Sequence, residues 1–192
     1  MAADSQGNDI GAVGIPITGF LAFAPEGTGV PSSADGGDDA FVLPGTFKKA
    51  GLLKTDGGPQ FTWGATGDAL EFWQIGYSLK SGDADVTFQA TFAQTDDFIR
   101  QIVYGKVPDV NGMILVDGGG HDIVKTFWSE EIFKNGAVRR RSGDKCTVQT
   151  VVEDRSTRGE VLGYAVTFKV DRSSSLSNNH FAEWVLPPIS GS

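Results

Sequence analysis

The sequence predicts an all-β fold: an antiparallel β-sandwich or barrel with one flanking α-helix, long loops and extended terminal arms. Several segments alternate apolar and polar residues with a period of two, which is typical of strands buried on one face. Glycine occurs 26 times in 192 residues, about twice its usual share, and supplies many turns. One segment carries the apolar spacing of a convincing helix.

Two of the predicted strands alternate most regularly. In residues 84–92, Val86, Phe88 and Phe92 share one face, while threonine and glutamine take the other. Residues 160–170 repeat this pattern. Further strands are predicted at 18–25, near 47–56, and at 60–63, 69–75, 112–117 and 145–154, with a turn at Asp56-Gly57. Residues 129–136 fit either a short capped helix or a strand that turns at Asn135-Gly136, and the strand is the preferred interpretation.

The predicted helix lies between Thr95 and Gly105. Thr95 is the expected N-cap, Asp96 and Asp97 favour the positive end of the helix dipole, and Gly105 follows the last turn. Its apolar stripe, which should pack on a sheet face, consists of Phe98, Ile99, Ile102 and Val103.

The remaining chain is expected to form loops and arms around one domain. Residues 1–17 are polar and glycine-rich and are predicted to be an N-terminal arm, followed by a domain at 18–172 and a C-terminal arm at 173–192. Residues 27–40 are expected to be a flexible loop. Neither a membrane-spanning helix nor a secretory signal is expected, because no apolar run reaches the length of a span and the first residues lack a basic start.

The residue pattern does not favour catalysis. His121, His180 and Cys146 lack the spacing of a zinc site. The acidic cluster at 35–39 lacks the alternating ligands of a calcium loop, and residues 117–122 lack the lysine and hydroxyl of a phosphate-binding loop. We therefore expect no enzymatic activity, no metal and no cofactor.

Charge is unevenly distributed along the chain. The formal net charge is −8; residues 1–97 carry 13 acids and 4 bases, whereas residues 98–192 carry 11 acids and 12 bases. An acidic protein is a poor candidate for tight nucleic-acid binding, because attraction to phosphates dominates such affinity. The basic run 139–141 is either a solvated strand end or a contact to an acidic neighbour.

The order of several short motifs resembles the major tail proteins of long, non-contractile phage tails, especially those of actinobacterial phages. The motifs are "APEGTGVP" (24–31), "AGLLKTDGG" (50–58), "ALEFWQ" (69–74), "ADVTFQATFAQT" (84–95), "IVYG" (102–105) and "EVLGYAVTFKVDRSS" (160–174). The resemblance covers roughly residues 19–172. Leu52 and Thr55 depart from the family pattern, and residues 105–138 do not align with it.

The resemblance implies a structural virion protein, the tail tube protein. Such proteins form hexameric rings that stack into a tube, and neighbouring sheets join into a barrel around a lumen through which the genome leaves. The implied partners are further copies of the chain, the tape measure protein, the tail terminator and tail-tip proteins, and DNA in transient, non-specific passage. The implied location is the virion tail, with assembly in the host cytoplasm and no direct membrane insertion.

Two sets of residues are candidates for these roles. An acidic lumen would repel phosphates, and its candidates, which could equally be solubilising surface acids, are Asp68, Glu71, Asp83 and Asp85. The candidates for contact between rings come from the family position of residues 47–63 and are Lys48, Lys49, Lys54, Phe61 and Trp63.

Two other classes of protein share this composition. The first is another virion decoration protein or a carbohydrate-binding β-sandwich, in which exposed tryptophan would stack on sugar. The second is a small hydrolase that uses paired carboxylates, whose separation the sequence does not reveal.

Overall fold

The computed structural model describes residues 5–65, 67, 69–80, 82, 84–116 and 123–188. The predicted all-β class is confirmed, because strands dominate these residues and both α-helices are short. The strands are β1 (Pro16–Pro25), β2 (Lys48–Lys49), β3 (Gln60–Ala65), β4 (Ala69–Glu71), β5 (Ser78–Lys80), β6 (Ala84–Phe92), β7 (Lys125–Phe133), β8 (Val138–Glu153), β9 (Tyr164–Val170) and β10 (Ala182–Leu186), and the helices are α1 (Ser33–Gly36) and α2 (Asp97–Tyr104).

The chain divides into two compact units. Unit 1 comprises Met1–Leu52, Val124–Lys145 and Arg172–Ser192, and unit 2 comprises Leu53–Ile123 and Cys146–Asp171. The division falls within β8, so the first part of this long strand belongs to unit 1 and the remainder to unit 2.

The segments expected to be terminal arms make contacts within unit 1. In residues 173–192, expected to be an arm, β10 pairs antiparallel with β8. Near the other end, Lys134 donates its backbone N–H to the carbonyl of Ile15, and the Asn135 side chain donates to the carbonyl of Gly11 at 2.8 Å. These bonds tie residues 11–15 to the β7–β8 turn.

Unit 1 is built on a sheet in the order β2-β1-β7-β8-β10. Of the two interpretations of 129–136, the strand is correct for residues 129–133, which end β7, and the turn that follows contains Gly136 at φ 85°, a left-handed conformation that suits glycine. Ala22 and Ala24 of β1 and Trp128 of β7 form a buried cluster together with Phe47.

The expected flexible loop at 27–40 contains α1 instead, and this segment is held against unit 1. Ser32 caps α1 by accepting a hydrogen bond from the Asp35 N–H at 3.1 Å. The indole N–H of Trp184 donates to the Ser33 carbonyl at 3.2 Å. A Cβ at Gly36 would overlap the Trp184 ring, so the absence of a side chain there permits this close approach.

Unit 2 contains an antiparallel sheet in the order β3-β6-β9-β8. The alternation predicted from the sequence fits the burial of β6 and β9, because the apolar face of each strand is buried. Phe88 and Phe168 lie opposite each other on that face, with ring centroids 4.6 Å apart. Strands β4 and β5 form a separate two-stranded hairpin.

Helix α2 begins one residue later than predicted. Asp96, not Thr95, is the N-cap, and its carboxylate accepts hydrogen bonds from the backbone N–H groups of Phe98 and Ile99. A charged acceptor suits this position better than a hydroxyl, because it also meets the positive end of the dipole. Gly105 ends the helix in the left-handed conformation.

The apolar stripe of α2 faces the interior of unit 2. Ile99, Ile102 and Val103 are buried, and Phe98 is half-buried. At the end of the helix Tyr104 meets Tyr164 of β9 edge to face, with ring centroids 6.4 Å apart. Burial, with a hydrogen bond to Tyr104, raises the pKa of Tyr164 to about 12.

The prediction of a strand at 112–117 is wrong for residues 112–116, because these residues are not in a strand. The Asp109 carboxylate accepts from the N–H groups of Asn111 and Met113, both at 2.8 Å, and the Asp109 N–H donates to the Met113 carbonyl. These bonds close a turn, so the apolar residues that follow it are not available to a sheet ladder.

Candidate interaction surfaces

The candidate metal ligands do not form a cluster among the described residues. No group of three or more His, Cys, Asp or Glu in this part of the chain is placed to hold a metal. Cys146 is buried on β8, His180 lies 3.4 Å from the Arg172 Nε, and His121 lies outside the described residues. Among the described residues no helix is long and apolar enough to cross a membrane.

The basic run 139–141 makes contacts to acidic neighbours within the chain. Arg139 pairs with Glu131 at 2.7 Å, and Arg140 pairs with Glu130 at 2.8 Å. Arg141 pairs with Glu183 of β10. The hydrogen bond that Arg139 donates to the Glu131 carboxylate raises the pKa of Arg139. The run is therefore a set of cross-strand ion pairs in unit 1.

The basic candidates for inter-ring contact occupy different parts of the fold. Lys48 and Lys49 form the exposed edge strand β2 of unit 1, and the Lys49 ammonium lies 4.2 Å from the Phe20 ring centroid. Lys54 belongs to unit 2, where it pairs with Asp154 at 2.8 Å. The hydrogen bond that Lys54 donates to the Asp154 carboxylate raises the pKa of Lys54.

The two aromatic candidates, both on β3, differ in exposure. Phe61 is half-buried and stacks on Phe88 with ring centroids 5.1 Å apart. Its register opposite Phe88 places it on the apolar face of the sheet. Trp63 is largely exposed.

The lumen candidates that the structure describes lie on two different sheets. Glu71 is exposed at the end of β4, whereas Asp85 is half-buried on β6, opposite Gly64 of β3. Asp68 and Asp83 lie outside the described residues. Glu71 and Asp85 thus do not form one continuous acidic strand face.

The face of the unit 2 sheet opposite its buried apolar face is mostly uncharged and polar. The register aligns hydroxyl and amide side chains from all four strands in two neighbouring rows. One row contains Thr62, Thr87, Lys169 and Thr147, and the next contains Gln60, Gln89, Thr167 and Thr150. Asp85 and Lys169 are the charges that this register places on the face, and Lys169 pairs with Asp171 at 3.1 Å.

The β4–β5 hairpin exposes a dense set of apolar side chains. Its tip is ordered by hydrogen bonds from the Phe72 N–H to the Tyr77 carbonyl and from the Tyr77 N–H to the Gln74 carbonyl. The exposed residues are Leu70, Phe72, Trp73, Ile75 and Tyr77. The sequence did not predict this surface, because an apolar run with strand propensity predicts a core strand as readily as an exposed hairpin.

Two edges of the unit 2 sheet lack a strand partner among the described strands. β3 pairs with β6 on one side and ends the strand order on the other. Residues 147–153 of β8 pair with β9, and no described strand runs along their other side. Exposed edges of this kind promote pairing with another chain.

Comparison of the chain with protein-family models and with curated proteins found no match. The surfaces that bear on function are therefore the polar sheet face, the apolar hairpin and the two sheet edges that have no strand partner among the described strands. Unpaired sheet edges and exposed apolar surfaces are places where another chain can bind.

Proposed function

We propose that this chain is a structural virion protein that forms the tail tube of a long, non-contractile phage tail as stacked hexameric rings. The rings would surround a conduit for genome ejection, and the chain would have no enzymatic role. The motif order described above suggests the family. The observation that carries the proposal is the antiparallel order β3-β6-β9-β8 of unit 2, in which β3 and residues 147–153 of β8 have no strand partner on their outer side among the described strands.

The directions of the strands fit ring closure. Each neighbouring pair in the order β3-β6-β9-β8 is antiparallel, so β3 and β8 run in opposite directions. The β3 edge of one copy can therefore pair antiparallel with the β8 edge of the next. Because this contact joins two different surfaces, it repeats around a ring, and closure removes every open edge of this sheet.

The polar sheet face suits the wall of a conduit. In such a ring one face of the joined sheets would point inward, and we assign this role to the face that carries Thr87, Gln89 and Thr167. A wall without clustered lysine or arginine releases few counterions on contact with phosphates, so DNA would pass without being held. Asp85 would be the described acid on this wall.

The proposed partners follow from the same role. Further copies of the chain would form the tube, the tape measure protein would occupy it before DNA, and the tail terminator and tail-tip proteins would bind its two ends. The protein would assemble in the host cytoplasm and remain in the virion tail.

Concentrated protein is expected to form rings or tubes, whereas dilute protein should remain monomeric. Ordering of polar, glycine-rich segments costs entropy, so assembly should need concentration or partner proteins. Negative-stain electron microscopy and light scattering across a concentration series test this. Isolated particles that bind glycans at every concentration would instead favour the carbohydrate-binding alternative.

Proline on the open edge of β3 is expected to block ring formation without unfolding the chain. Backbone N–H groups along a strand point alternately to either side, so one of Gly64→Pro and Ala65→Pro removes an N–H that points away from β6. That variant should melt as wild type does but lose about 1 kcal/mol at every ring contact.

The other proline variant provides the matched control, because it removes a bond to β6 and should lower the melting temperature. Circular dichroism measures melting, and sedimentation velocity measures ring formation. If both variants form rings as readily as wild type, the β3 edge is not the contact.

A further inference from the structure

The loop that follows α2 presents a second exposed apolar surface, separate in sequence from the hairpin. Its residues belong to unit 2. The exposed side chains of this loop, here called the α2 loop, are Val107, Val110, Met113, Leu115 and Val116. Monomeric proteins rarely expose so many large apolar side chains in one short segment, and such segments mark interaction sites.

The α2 loop is held in one conformation by its own hydrogen bonds. Besides the turn closed by Asp109, the Arg100 guanidinium donates to the Gly112 carbonyl at 2.6 Å. The Lys106 ammonium donates to the Leu115 carbonyl at 2.9 Å. A loop fixed in this way loses little conformational entropy on binding, which favours a specific contact.

The β4–β5 hairpin has enough exposed apolar surface to be the segment that binds the α2 loop. Trp73 is 97% exposed, and Phe72 and Tyr77 are 54% and 70% exposed. With aromatic side chains burying about 150–250 Å² each, these three alone would contribute roughly 400 Å². Together with Leu70 and Ile75, the hairpin approaches the ~800 Å² per partner of a stable protein–protein contact.

Charge and exposure also fit contact between two copies. Glu71 is the charged residue within the exposed stretch 70–77, whereas Arg100 and Lys106 place cations beside the α2 loop. Ile75 and Val110 are both fully exposed, so they do not cover each other within one copy. Two unlike apolar surfaces on one chain are what a head-to-tail contact requires.

We propose that the hairpin of one copy docks onto the α2 loop of a second copy. This inference rests on the proposed function, in which it supplies the contact along the tube axis, while the sheet edges supply the contact around the ring. It departs from the expectation that residues 47–63 carry the inter-ring contact.

Paired variants test the contact. The hairpin variant Trp73→Ser/Ile75→Ser keeps the α2 loop, and the loop variant Val110→Ser/Leu115→Ser keeps the hairpin. Each variant alone should associate about 100-fold more weakly than wild type, since two large apolar side chains leave the contact. Val42→Ser/Val161→Ser removes two exposed valines elsewhere and should behave as wild type.

A mixture of the two variants distinguishes a head-to-tail contact from the alternatives. The two variants are prepared separately and then mixed. They should associate only in pairs and form no longer assemblies, because the mixture offers an intact hairpin on one variant and an intact α2 loop on the other. Because the sheet edges are intact in both variants, each variant alone should form single rings, and sedimentation velocity and negative-stain images of the mixture should show paired rings of twice that mass. If the mixture does not pair, then either hairpin contacts hairpin and loop contacts loop, or neither surface makes a contact. Each of these results would overturn the proposal.

Failure of the hairpin contact can be distinguished from failure of the proposed tail tube. Wild-type protein that forms open chains without rings, with the same pattern in the mixture, would retain the hairpin contact and reject the tube. Wild-type tubes that persist in both variants would retain the tube and reject the hairpin contact.

Discussion

Replacement of Ile102 by aspartate is expected to unfold unit 2. Ile102 is 5% exposed on the inner face of α2, between Ile99 and Val103, which are also buried. Loss of the isoleucine side chain alone costs about 2–5 kcal/mol. A carboxylate in the same place must either be buried without a partner or take up a proton, and each adds a further cost.

The combined cost is a large share of the about 5–15 kcal/mol that stabilises a typical domain. Far-ultraviolet circular dichroism during heating and urea titration should therefore show an unfolded or strongly destabilised variant. Gln101→Asp is the matched control, because it introduces the same charge into the same helix turn at a partly exposed position. If both variants melt together, the buried stripe does not hold α2 in place.

The elements that were predictable from the sequence are those whose signal is local. Strand β6 alternates with a period of two, and α2 has a one-sided stripe and a glycine at its end. Each pattern reports which face of the element is buried, and the structure buries that face. For 129–136 the sequence allowed a helix or a strand with a turn at Asn135-Gly136, and the turn forms because Gly136 suits the left-handed backbone that it needs.

Features that depend on partners distant in sequence were not predictable. Strand β8 runs for 16 residues, but its first part contains three consecutive arginines, which argue against a buried strand. Their glutamate partners lie on β7 and β10, and sequence spacing does not measure those distances. For the same reason the loop at 27–40 did not predict its contact with Trp184, which is far away in the chain.

The exposed surfaces were the hardest part to predict. Residues 70–77 and 107–116 are apolar, and apolar residues usually predict a core. A segment that is exposed in one copy and buried in an assembly has the same apolar composition as a segment that is buried within one chain. Phe61 shows the converse, because its family position suggested an exposed contact while its register opposite Phe88 places it on the apolar face.

Replacement of Arg140 by methionine is expected to destabilise unit 1 by about 3–5 kcal/mol. Arg140 is 5% exposed, and its guanidinium donates to Glu130 at 2.8 Å and to the carbonyls of Gly36 and Asp38 at 3.1 and 2.7 Å. Methionine fills much of the same space but donates nothing. It leaves the Glu130 carboxylate largely buried without this partner and removes the donor for two carbonyls of the α1 segment.

Two further variants separate the buried charge from lost packing. Arg140→Met/Glu130→Leu removes both charges and should recover a large part of the loss, because an apolar pair leaves no buried ion unpaired. Lys169→Ala breaks an ion pair that is about half exposed on both sides and should change stability by less than about 1 kcal/mol. Urea titration of all three measures these differences. A double variant no more stable than Arg140→Met would assign the effect to the contacts with Gly36 and Asp38, and Arg140→Met with wild-type stability would show that the guanidinium holds neither β7 nor the α1 segment.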